Sequence, residues 1–227
     1  MAELLQYVPE YEQYKRIADY LRETFPDPPY KTERALDKYL LCDLLEGQPD
    51  RAKHSLGVER LARSLGPYLK MGEDFTNDLA LSGLWHDGGY ARLLRLTGFH
   101  EIDGAVFLAQ HGMPDRVVSA VLFHSGAREE AQKRYPQDHP VNQVYKQIGS
   151  YRRTLIDHGL AVSDLQTAHD GSKVIPIERR IEEIVARTQN PQTADFLHQQ
   201  YPDFRRSRNL LLLVGGTPIK NLLGAPR

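Results

Sequence analysis

Four histidines and two aspartates in the middle of the chain are of the types that hold transition metals. In order they are His54, the adjacent pair His86 and Asp87, then His100, His124 and Asp164. Imidazole and carboxylate together suit zinc, iron, manganese and related ions. The set exceeds what one tetrahedral zinc takes, which points towards two ions. Each donor lies where a helical pattern begins, ends or turns inward. His86 and Asp87 close an apolar segment just before Gly88-Gly89. A helix C-terminus carries partial negative charge from its free carbonyls, so backbone and carboxylate there both favour a cation. Adjacent helical residues point about 100° apart. The pair can therefore reach one ion from two directions, or Asp87 can bridge two.

The elements that must position these donors read as helices throughout. Tyr11, Tyr14, Ile17 and Leu21 recur at helical spacing, and Pro26, Pro28 and Pro29 end that helix. A second short helix is expected around residues 33–45. Residues 1–50 thus read as an N-terminal helical extension packed on a main domain over residues 51–187. In that domain, a helix over 52–66 has His54, Val58, Leu61 and Leu65 on its inner face. Thr76 or Asn77 is expected to cap the next helix, which runs to His86-Asp87. Another helix covers about 102–110. Pro114 opens the next, with Val117, Val121 and His124 on one face. Residues 126–150 read as irregular and charged. A helix around 151–165 carries Asp164, and Pro176 and Glu178 open one with Ile181, Ile184 and Val185 inward. Residues 188–227 are expected to add a helix near 192–200 and a tail, packed on the main domain. That tail holds Arg205-Arg206-Ser207-Arg208, a leucine run and Gly215-Gly216. No segment alternates with period two, so the predicted fold class is all-α.

Composition narrows the function classes. The chain has 227 residues, 41% hydrophobic and 26% charged, as a soluble globular protein does. Its formal net charge of -1 gives no field to hold a nucleic-acid backbone, so no nucleic-acid partner is expected. Cys42 is the single cysteine, which forbids an internal disulfide and agrees with a reducing compartment. The first residues lack a signal-peptide pattern. The aliphatic run from Leu210 to Val214 is too short to span a bilayer. A cytoplasmic protein with no membrane partner is expected; the oligomeric state stays open. Glu101 and Asp103 read as first-turn helix carboxylates. His111 reads as an exposed helix-end residue, and His139, His158, His169 and His198 as solvated.

The ligand order resembles the HD superfamily of metal-dependent phosphohydrolases, over roughly residues 51–187. The pieces Leu84-Trp85-His86-Asp87-Gly88-Gly89-Tyr90, Gly98-Phe99-His100-Glu101-Ile102-Asp103, Phe123-His124-Ser125-Gly126-Ala127 and Ala161-Val162-Ser163-Asp164-Leu165 resemble its branch with a six-ligand, two-metal site. The resemblance implies a helical HD-domain bundle. It implies one ion on His54, His86, Asp87 and Asp164, and a second on His100 and His124 with Asp87 bridging. The cofactors would be one or two divalent transition metal ions: Fe, Mn, Co, Ni or Zn. A bridging hydroxide would be the nucleophile, with the ions clamping phosphate oxygens. Several subfamilies carry a lysine where Tyr90 stands. Its absence leaves the phosphate contact to Arg128, four residues past His124, or to Lys53, with Ser125 a further substrate contact. Asp87 and Arg128 are then the expected catalytic residues. The implied activity is hydrolysis of a small phosphate ester or nucleotide. The same ligand order also occurs in mixed-valent di-iron oxygenases that cleave C–P or C–C bonds, which is the alternative.

Overall fold

The structure is a computed structural model that describes residues 9–189 and 191–215. Its centre is the antiparallel pair α3 (Pro49–Tyr68) and α4 (Glu73–Trp85), with α9 (Leu155–Leu165) packed on both. Pro49 starts α3 with its ring at the first turn, where no intrahelical N–H is needed, and Asp50 complements the positive end. The inner face of α3 buries Val58, Leu61 and Leu65 against Leu79 of α4 and Leu160 of α9. Helix α9 begins at a capping box: Thr154 and Asp157 satisfy each other's free backbone groups, with Thr154 N donating to Asp157 Oδ2 at 2.6 Å.

A second layer is built from α5 (His100–Gln110) and α6 (Asp115–Phe123), across which α1 (Pro9–Thr24) lies. Ile17 and Leu21 of α1 share one core with Phe107 of α5 and Val121 of α6. The short α2 (Lys38–Leu44) is capped by Asp37, whose Oδ1 accepts from Tyr39 N and Leu40 N at 3.0 Å each. Trp85, at the end of α4, fixes this N-terminal region by donating from its indole to Leu36 O at 3.2 Å. The described residues contain no β-strand, only an isolated bridge between Thr167 and Val174.

Three sequence expectations are corrected. The segment expected to be irregular forms α7 (Ala127–Arg134) and α8 (Pro140–Ile148). Its charge hid a sparse apolar pattern of Ala127, Ala131, Val141, Val144 and Ile148, all buried. Helix α4 starts at Glu73 after Gly72, not at a Thr76 or Asn77 cap. Beyond α10 (Ile177–Thr188), the helix expected near 192–200 is the first part of α11 (Pro191–Gly215), which runs through Pro202. Phe196, Gln200, Phe204, Ser207 and Leu211 recur at three- and four-residue steps and are all buried. Burying that stripe against α9 and α10 outweighs the hydrogen bond lost at Pro202. The arginines at 205, 206 and 208 masked the stripe in the sequence. Residues 216–227, including Gly216 of the tail, lie outside the described residues. No described helix is long and apolar enough to cross a membrane.

Candidate metal centre

The six donors reach one place from five segments. His54 projects from the buried face of α3, where Ala168 O receives its Nδ1 at 3.0 Å. That carbonyl belongs to the loop after α9, which closes on α3 because Gly171 has φ +67° and no side chain. A Cβ there would stand 2.0 Å from Lys53 O. His86 directly follows α4, and its Nδ1 donates to Gly83 O at 2.8 Å. Asp87 leads into the 3-10 turn Gly88–Tyr90, which rests on the first turn of α5. Gly89 permits that approach, since a Cβ would meet His100 O at 1.9 Å. His100 opens α5. His124 follows α6 and its Nδ1 donates to Val121 O at 2.6 Å. Asp164 sits in the last turn of α9.

A carbonyl oxygen only accepts, so Nδ1 of His54, His86 and His124 must carry the proton. Their Nε2 atoms are therefore left with free lone pairs. The fourth imidazole, His100, sets its Nδ1 3.0 Å from Glu101 Oε2. The three imidazoles held by carbonyls show the usual orienting arrangement of metal-ligating histidines, and His100 has the carboxylate beside it without hydrogen-bonding geometry.

The donor atoms fall into two adjacent triads: His54, His86 and Asp164, and Asp87, His100 and His124, each within 4.8 Å. His54 Nε2 lies 3.0 Å from Asp164 Oδ1, and His86 Nε2 3.7 Å from the same oxygen. Asp87 faces both groups: Oδ2 lies 3.6 Å from His86 Nε2 and Oδ1 3.6 Å from His100 Nε2. The triads fit divalent ions on two grounds. The donors are of the right chemistry, and His86 Nε2 is buried without a hydrogen-bond partner. Electrostatics agree. Burial pushes His86 and His100 down to about 4, so both are neutral ligands near pH 7. Burial opposes ionisation of Asp87, but His86, Arg51 and His100 hold its carboxyl well below the usual range. For Asp164 burial is likewise outweighed, by the adjacent His54 and His86. Glu101 has no such surplus, and burial pushes its carboxyl up to about 7.

Both triads open into a cavity of about 720 Å³ between α3, α5, α7, α10 and α11. Ser125 lies at its wall with φ 51°, a left-handed conformation, and its Oγ donates to Asp164 Oδ2 at 2.7 Å. It holds the carboxylate's outer oxygen in place. Two expected phosphate contacts are not brought to the cavity. Arg128 points away, its Nη2 donating to Gly149 O at 2.6 Å and its guanidinium 5.0 Å from the Phe123 ring centre. It ties α7 to the end of α8, because α7 turns that face inward onto the helix pair. Lys53 lies on the outer face of α3, 61% exposed, paired with Asp50 at 3.6 Å.

Other cations take their place. Arg51 donates to Asp87 Oδ2 at 2.6 Å, and its guanidinium lies 3.4 Å from the Tyr90 ring centre. Tyr90 in turn stacks on His100 with ring centres 3.9 Å apart. Arg180 of α10 is buried beside His54, and Arg187 lies further along the same helix on the cavity wall. Arg51 had a signal in the sequence, since it precedes His54 by three residues on one helix face. Arg180 had a weaker one, an arginine among the buried Ile177 and Ile181. Glu101 is a first-turn carboxylate of α5, as read from the sequence, and is also buried against His100. Among the other histidines, His111 is half-buried, accepting from Thr32 N at 3.2 Å. His158 is half-buried between α9 and α11, donating to Ser207 Oγ at 2.9 Å. His139 caps α8, accepting from Val141 N at 3.3 Å.

Residues 51–184 match the HD domain family, and the chain belongs to that family. Its members are in general metal-dependent phosphohydrolases that bind divalent ions. No curated protein and no solved structure matches the chain.

Proposed function

We propose that this protein is a phosphohydrolase using two divalent ions, one at each triad, to hydrolyse a small phosphate ester or nucleotide. The observation that carries this reading is Asp87, whose two oxygens face His86 and His100 from between the triads. Two ions held side by side supply an activated water and clamp the attacking and leaving oxygens at phosphorus. The chain's own residues do the rest. Ser125 donates to one oxygen of Asp164 while His54 Nε2 stands 3.0 Å from the other, and the Glu101 carboxyl lies 3.0 Å from His100 Nδ1. Arg51, Arg180 and Arg187 give the cavity a cationic lining suited to phosphate oxygens. A volume near 720 Å³ accommodates an organic phosphate rather than a polymer.

The test is a panel of phosphomonoesters, nucleotides and dinucleoside polyphosphates, assayed with protein reconstituted with Mn²⁺, Co²⁺ or Ni²⁺. Release of phosphate or nucleotide that chelator abolishes is the expected result. Silence across the panel, with O₂ consumption by the iron-loaded protein on an organic substrate, would establish the oxygenase alternative instead.

A further inference from the structure

Arg180 is a buried cation, ion-paired with Glu183 at 3.6 Å, whose hydrogen-bonding capacity is largely unused among the described residues. It is 4% exposed, and neither Nε nor Nη1 has a hydrogen-bond partner. Nη1 lies 3.6 Å from Glu183 Oε2, without hydrogen-bonding geometry. Nη2 meets only His54 Nε2, at 3.4 Å, a nitrogen whose lone pair a metal would take. Burying a guanidinium with most of its N–H groups unsatisfied is costly, and at this place on α10, between Ile177 and Ile181, an apolar residue would suit the core. The other cations of the wall are engaged. Arg51 holds Asp87, and Arg134 donates to Glu130 at 2.9 Å. Arg187 lies against His169. Arg180 lines the cavity directly beside the His54–His86–Asp164 triad, and Nη2 is the donor that stands next to His54.

We infer that Arg180 is the phosphate clamp of this site, donating to non-bridging oxygens of a phosphoryl group seated at that triad. The inference rests on the phosphohydrolase reading for its ligand and adds the residue that recognises it. A planar guanidinium with several donors matches phosphate geometry where a lysine does not. It supplies, from a position 126 residues beyond His54, the contact expected of Arg128.

The experiment measures binding of inorganic phosphate to the full chain reconstituted with Mn²⁺, by isothermal titration, with Mn²⁺ per chain measured alongside. Arg180→Ala should bind phosphate roughly tenfold to a hundredfold more weakly, the range for a charged hydrogen bond, with its Mn²⁺ content unchanged. Arg180→Lys should recover part of the loss, and millimolar guanidinium should restore part of the binding to Arg180→Ala. Arg179→Ala, which removes an exposed neighbour paired with Glu182, should bind as the wild type does. Should Arg180→Ala fail to fold, Arg180→Lys carries the measurement, because it keeps the charge and loses the fork.

Unchanged phosphate affinity in the folded variant overturns the inference. Loss of Mn²⁺ together with phosphate also overturns it, making Arg180 a positioning residue for His54. So does an equal loss in Arg179→Ala, which would be a general field effect. Binding needs no turnover, so the two readings separate. Wild-type protein that turns over no phosphate ester, yet binds phosphate through Arg180, sinks the hydrolase reading alone. Turnover and phosphate affinity that both survive Arg180→Ala sink the clamp alone.

Discussion

Glu101→Gln is the substitution that best isolates one ion from the other. The Glu101 carboxylate stands 3.0 Å from His100 Nδ1 and is 2% exposed. Glutamine keeps the volume and the accepting oxygen and removes the charge. Oε2 faces Nδ1 as a close charge contact without hydrogen-bonding geometry, so the change removes electrostatic support to His100, about 1.4 kcal/mol for an outer-shell partner. That is roughly a tenfold loss of affinity, at the low end of what outer-shell substitutions do to metal sites. The loss should fall on the Asp87–His100–His124 ion and leave the His54–His86–Asp164 ion within about twofold. Folding should not follow it. Burial raises the Glu101 carboxyl from 4.5 to about 7, so in metal-free protein its stabilisation is present at low pH and is lost as pH rises through 7. Metal-free Glu101→Gln should then be at least as stable as the wild type at pH 8. Mn²⁺ titration calorimetry and thermal unfolding, run on both proteins, check the two halves. Equal weakening of both ions, or no weakening of either, would refute the reasoning.

Asp87→Ala should remove both ions, since its oxygens face both triads; metal analysis finding one ion retained at wild-type affinity would show that Asp87 does not bridge. Arg128→Ala should leave metal content and any turnover within about twofold, while lowering stability by about 1–3 kcal/mol through loss of the bond to Gly149 O, as denaturant titration would read. His158 links stability to pH away from the metals. Burial and the nearby Arg153 lower it from 6.5 to about 4, so its contribution is full above about pH 6.5 and lost as pH falls towards 4. Between pH 7 and 4.5 the wild type should lose about 2–3 kcal/mol more than His158→Gln, measured by urea unfolding; parallel profiles would remove His158 as the cause.

The sequence by itself determined the donors, their order and the helices that carry them. Histidine and aspartate are metal-ligand types wherever they stand, and a 3.6-residue apolar period shows which face of α3, α6 or α10 turns inward. The period made the all-α class legible, and the order of the donors with their flanking residues carried the resemblance to the HD family. Periodicity records burial along one element, however, and says nothing about which other element lies against it. Arg128 and Arg180 are both arginines near the motif order. Only packing turned the first onto the α7–α8 junction and the second onto His54. The same holds for Glu101, whose place in a first turn reads as a helix-end carboxylate until α5 seats it against His100. Helix α11 shows the converse limit: a proline and three arginines broke its local pattern, and burial of Phe204, Ser207 and Leu211 against α9 and α10 restored it. Local chemistry is written in residue types, whereas the pairing of charges across a cavity depends on contacts more than a hundred positions apart. Those contacts form only when the whole core does.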